Sequence, residues 1–129
     1  MFLSRLAPEV LPAEVAGIVH ASRANNVAES VTGVMLFDGE RFCHYLEGLE
    51  SHVRRTVAKI TTDARNTGFQ QLHESLAGNT RRFEGWHVGI LAPDGPSPLL
   101  AFESRRGNLA VDFLNTLYRD RKQFGVHIL

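Results

Sequence analysis

Few residues in this chain have both the chemistry and the spacing to build a site. Asn25 and Asn26 are adjacent carboxamides, each able to donate and to accept a hydrogen bond. Taken alone, the pair reads as the C-terminal cap of a helix, because asparagine tolerates left-handed backbone. His44 is an imidazole beside the single cysteine, Cys43. Alternation along a strand sends these two side chains to opposite faces, so they form no nucleophile–base pair. Lys59 and Asp63 lie four apart on one flank of a predicted helix, with Arg65 just beyond; taken alone, they read as a solvated helix edge. The six histidines lack the short spacing of a helical metal pair, and one cysteine excludes an internal disulfide and any cysteine-pair zinc motif. No metal is expected. No Gly-rich phosphate loop, paired carboxylates or nucleophile elbow is present, so an enzyme is not expected.

The elements that must position these residues follow from periodicity. Met1 to Leu6 reads as a strand whose first residues fray. From Pro12, a helix carries Leu11, Val15, Ile18, Val19 and Ser22 on one face and ends at Asn25-Asn26. Val31 to Phe37 and Arg41 to Glu47 are two strands joined at Asp38-Gly39, a strong hairpin signal. In the second, Phe42, His44 and Leu46 share one face, and Cys43, Tyr45 and Glu47 the other. Ser51 caps a second helix with Val53, Val57, Ile60 and Ala64 at helical spacing, stopped by Gly68. Gln70 to Ala77 and Trp86 to Leu91 are strands, the latter with Trp86, Val88 and Ile90 on one face. The proline-rich segment Ala92 to Pro98 is the least structured, and Asn108 caps a last helix carrying Ala110, Phe113, Leu114, Leu117 and Tyr118. The order predicts an α/β (α+β) ferredoxin-like βαββαββ sheet with two helices on one face, plus a C-terminal helix. At 129 residues this is one domain, with a core over 1–92 and an extension over 93–129.

Fourteen basic and fourteen acidic residues cancel, so no charge excess points to nucleic acid or to an anionic membrane. No apolar run approaches the roughly 20 residues that span a bilayer, and the N-terminus has no signal pattern. A cytoplasmic protein acting on a small ligand or another protein is expected.

Four stretches carry a family resemblance: FLSR, SRANNVAESVTGVMLFDGERF followed by CHYLEG, KITTDARN, and RRFEGWHVG. Together they resemble the BLUF family, blue-light sensors that hold a flavin between two helices packed on a five-stranded sheet. The resemblance implies a pocket for FAD or FMN. Asn25 and Asn26 would supply its amide contacts, with Asn26 facing the ring edge, since a carboxamide matches the alternating carbonyl and imide N–H of a flavin. Ile18, Lys59, Asp63 and Arg65 would flank the ring and its ribityl-phosphate tail, and Phe42 and His44 would face the pocket from the sheet. Lys59 stands where the family commonly has arginine, which leaves charge without a bidentate fork.

Two positions depart from the family. A tyrosine that donates an electron and a proton to the excited flavin is Phe2 here, and a glutamine that links that tyrosine to the flavin is His44. Imidazole cannot perform an amide rotation or tautomerisation. The resemblance therefore implies a flavin-binding sensory domain with an altered or lost photocycle, for which Trp86 is the one nearby alternative donor. Output is expected to pass through the sheet and the last helix to a separate protein effector, and exposed apolar residues near the C-terminus point to a homo-oligomer. The alternative is a flavin-free interaction module in which side chains such as Phe2 fill the old pocket.

Overall fold

The computed structural model describes residues 1–129 except 77, 79 and 93. Eleven elements run in the order β1 (Phe2–Leu6), a 3-10 turn (Pro12–Glu14), α1 (Val15–Ala28), β2 (Thr32–Phe37), β3 (Arg41–Glu47), α2 (Glu50–Thr62), β4 (Asn66–Gln71), β5 (Trp86–Leu91), a 3-10 helix (Pro98–Ser104), α3 (Asn108–Arg119) and β6 (Val126–Ile128). One sheet has the order β4-β1-β3-β2-β5-β6, with only β2 and β5 parallel.

Strand parity divides the core in two. Met35, Phe37, Phe42 and Val88 pack under Val15, Ile18 and Val19 of α1. Their neighbours Val34, Leu36, Cys43 and Tyr45 point the other way, to Leu99, Phe102 and the apolar stripe of α3. The two main helices thus share one face, as expected, and α3 covers the other. The hairpin forms where Asp-Gly predicts it: Asp38 Oδ1 accepts from the amides of Glu40 and Arg41 at 2.9 and 2.6 Å, and Gly39 has φ +98°.

Several boundaries differ from expectation. Met1 is not frayed: its ammonium donates to the His73 carbonyl at 2.8 Å, and its own carbonyl accepts from Leu72. Leu11 lies outside α1 and is exposed, because Pro12 to Glu14 form the 3-10 turn. Asn25 and Asn26 are not the cap of α1; the helix continues to Ala28, and Ser30 takes the left-handed conformation instead. Leu49, not Ser51, precedes α2 as its cap. Gly68 does not stop α2 but sits inside β4 with φ +63°, where the β1–β4 register shifts between Leu3 and Arg5. That strand begins at Asn66 rather than Gln70 and ends at Gln71; Ala77, at the end of the expected strand, lies outside the described residues. Gly107, not Asn108, caps α3. Pro98 opens a 3-10 helix, while Pro93 lies outside the described residues. The sheet also has a sixth strand, β6, that periodicity did not show; it pairs with β5 through Gly89 opposite Ile128.

One glycine is irreplaceable by geometry. Gly33 in β2 has φ +143°, and a Cβ there would overlap the Tyr45 carbonyl oxygen of β3. Gly33→Ala should therefore lower stability by at least about 2 kcal/mol, read as a fall in the urea midpoint; an unchanged midpoint would show that β2 and β3 can separate freely.

Candidate functional site

Because β1 runs antiparallel to β3 with Phe2 opposite His44, these side chains are direct cross-strand neighbours on the α1/α2 face. Their rings stack at 4.4 Å between centroids and 14° between planes. His44 is buried, and its Nε2 lies 3.0 Å from Ser4 Oγ. Burial pushes its pKa down to about 3, assisted by the positive charge of the N-terminal ammonium.

Above this ring lies a cleft of about 140 Å³. Met35, His44, Asn66 and Trp86 form its floor; Ile18, Ala21, Ser22, Asn25 and Asn26 line it from α1; Thr56, Lys59 and Ile60 line it from α2, with Asp63 and Arg65 beyond. The structure thus gathers Ile18, Asn25, Asn26, His44, Lys59, Asp63, Arg65 and Trp86, all singled out from sequence, around one space. Phe42 is different: it is fully buried below the cleft, stacked on Phe37 at 4.4 Å, and is not a wall. Phe2 likewise supports His44 from the side rather than lining the cleft.

Polar contacts close the cleft's mouth. Asn25 Nδ2 donates to Thr56 Oγ1 at 3.1 Å and to Asn26 Oδ1 at 3.2 Å, while Lys59 Nζ donates to Asn25 Oδ1 at 2.6 Å. Arg65 makes a bidentate pair with Asp63 through Nε and Nη2, at 3.0 and 2.7 Å, and each group's pKa moves toward its charged form because of the other. The charge expected to meet a phosphate tail is therefore already offset by a carboxylate. Trp86 Nε1 donates to Ser22 Oγ at 3.2 Å, fixing the indole against α1.

The cleft is smaller than the roughly 300–1,000 Å³ of most small-molecule pockets. Its closing bonds are partly exposed, the neutral ones contributing about 1 kcal/mol each and the charge-assisted Lys59 bond about twice that. Among the described residues, three buried side-chain atoms lack a hydrogen-bond partner, and only His44 Nδ1 belongs to a cleft residue. An apolar slot with a flat indole, a buried carboxamide and an unsatisfied ring nitrogen fits a planar heterocycle with a polar edge. A larger groove of about 320 Å³ lies over Arg5, Phe69 and Glu103, but Arg5–Glu40 and Arg41–Glu103 ion pairs flank it and none of the expected site residues line it.

The BLUF family profile, described as sensors of blue-light using FAD, matches residues 1–89. The chain belongs to the BLUF family. As a BLUF domain it is a member of the flavin-binding blue-light sensors. Among solved structures it is similar to BlsA in its photo-activated state, at 21% identity and TM-score 0.73 over 90% of each chain. It is also similar to BlrB in the dark state, at 24% identity and TM-score 0.65 over 88% of this chain and 87% of that one. Klebsiella pneumoniae BlrP1 with FMN and cyclic diGMP matches at 27% identity and TM-score 0.59, over 70% of this chain. This BLUF chain spans only 24% of BlrP1. No curated protein matches it.

Sequence reasoning missed Ser4, Asn66 and Thr56. Ser4 was within reach, since period two places it on the face of Phe2, but Asn66 required the true start of β4. Tyr45 and Cys43 face away, as parity predicts. Tyr45 Oη donates to Glu47 at 3.3 Å, and burial together with that carboxylate pushes its pKa up to about 12; burial alone does the same to the Cys43 thiol. Among the described residues no helix is long and apolar enough to cross a membrane.

The His44 shift carries a pH dependence. An ordinary imidazole takes up its proton near pH 6.5, whereas this one does so near 3. Between these values the unfolded chain binds more protons, so this contribution is complete above 6.5 and lost as pH falls, at a limiting slope of about 1.4 kcal/mol per pH unit. His44→Gln, which cannot titrate, should lose less stability than the parent between about pH 7 and about pH 4.5 in urea unfolding; parallel losses would show that the ring is not buried neutral.

Proposed function

We propose that this BLUF domain binds FAD or FMN between α1 and α2 and works as a sensory module without the tyrosine–glutamine photochemistry of its family. The observation that carries this reading is the unpartnered Nδ1 of His44, a buried ring held flat against Phe2 at the floor of the cleft. Asn26, only 1% exposed, would hold the polar edge of the ring. Ile18 and Ile60 would cover its faces, and Lys59 would attract the phosphate tail. A bound flavin would supply the light-absorbing, redox-active ring. Phe2 has no O–H to give, and Tyr45 is on the wrong face of the sheet, so Trp86 is the aromatic donor within the cleft. Output would reach an effector through the sheet, either by β6, which pairs with β5, or by α3.

Asn26→Ala should reduce flavin retention after reconstitution by about tenfold, the loss of one buried hydrogen bond to the ring. Equal retention by mutant and parent would remove Asn26 from the site. Phe2→Tyr together with His44→Gln should restore a reversible red shift of the flavin band under blue light. A loaded double mutant that does not shift would place the defect elsewhere.

The small cleft volume and the Asn25–Lys59–Thr56 closure favour a second reading, a flavin-free interaction module acting by homo-oligomerisation. Absorption spectra of the reconstituted protein separate the two, because that module retains no flavin.

A further inference from the structure

The two nitrogens of His44 stand in different surroundings. Nε2 faces Ser4 Oγ at 3.0 Å, and the same hydroxyl donates to Asn66 Oδ1 at 3.4 Å. Nδ1 is buried and unpartnered, on a ring that lines the cleft. A serine hydroxyl has one proton and two lone pairs. Asn66 Oδ1 can only accept, and with the serine proton directed to it a lone pair is left facing Nε2. Two lone pairs in contact would repel, so in this arrangement Nε2 carries the imidazole proton. Because the buried ring is neutral at ordinary pH, the other nitrogen is then bare.

We propose that Ser4, oriented by Asn66, selects the Nε2–H tautomer of His44 and so makes Nδ1 a hydrogen-bond acceptor toward the occupant of the cleft. The cleft then favours a ligand edge that offers an N–H or O–H donor over one that offers only acceptors. Ser4 is a positioning residue: it touches the ring of His44 and does not line the cleft. The consequence for the ligand rests on reading the cleft as a flavin pocket, but the tautomer is a property of the ligand-free protein and is tested there.

The experiment is ¹⁵N–¹H correlation of the His44 imidazole in the full chain at neutral pH, first without ligand. The parent should show a single tautomer protonated at Nε2. Ser4→Ala should show loss of that single tautomer to a mixture, and Asn66→Ala, which frees the serine proton for Nε2, should shift the population toward Nδ1–H. An Nδ1–H parent, or variants with the parent's tautomer, would overturn the proposal. With FAD added, the Nδ1 resonance should move while Nε2 stays; a bound flavin that leaves Nδ1 unmoved would overturn its acceptor role. If FAD does not bind, the flavin reading falls, and the ligand-free spectra still decide the role of Ser4.

Discussion

The antiparallel register of β1 against β3 is the constraint on which the site depends. It sets Phe2 opposite His44, so that one aromatic ring lies flat on the other beneath the two main helices. A slip of one residue would turn Cys43 and Tyr45 toward the cleft and send His44 into the opposite core. Burying an imidazole is tolerable only as the neutral ring; Ser4 lies against one nitrogen, and the other, on a ring that lines the cleft, is buried without a partner. Phe2 and His44 are therefore better understood as one stacked unit than as two separate residues.

The two faces of the sheet are held by different forces. On the α3 side, Phe83, Tyr118, Phe102 and Phe113 interlock edge to face, and the buried carboxylate of Glu47 accepts from the Phe83 amide at 2.7 Å. That bond ties the segment before β5 to β3 and fixes where Trp86 enters the sheet. On the other side, α2 buries only Thr56, and it is joined to α1 largely by polar contacts, among them Arg55 to Glu29 at 2.9 Å and His52 to the Glu29 carbonyl at 2.8 Å. Apolar packing thus holds α3, and also α1, against the sheet, while α2 is held to its neighbour largely by hydrogen bonds.

The same contrast explains the state of the charged residues. Arg65 and Lys59 do not stand ready as free cations; Asp63 and Asn25 hold them. A phosphate reaching this edge would exchange one set of partners for another, so the gain from its charge is moderated by what it displaces.

Much of the architecture was legible because it depends on neighbours along the chain. Asp38-Gly39 makes the hairpin by its own turn chemistry, and period two alone places His44 opposite Cys43. The helix stripes of α1 and α3 follow from spacing in the same way. What the tertiary structure decided involves residues that meet only after folding. Gly68 reads as a helix stop until the edge of β1 draws it into β4, and Asn25-Asn26 reads as a cap until Ser30 ends the helix later. Ser4 meets both His44 and Asn66, each far from it in sequence, only because β1 lies between β3 and β4. Local periodicity specifies which way a side chain points; which partner it finds there is set by strand order and register, and these are properties of the whole sheet.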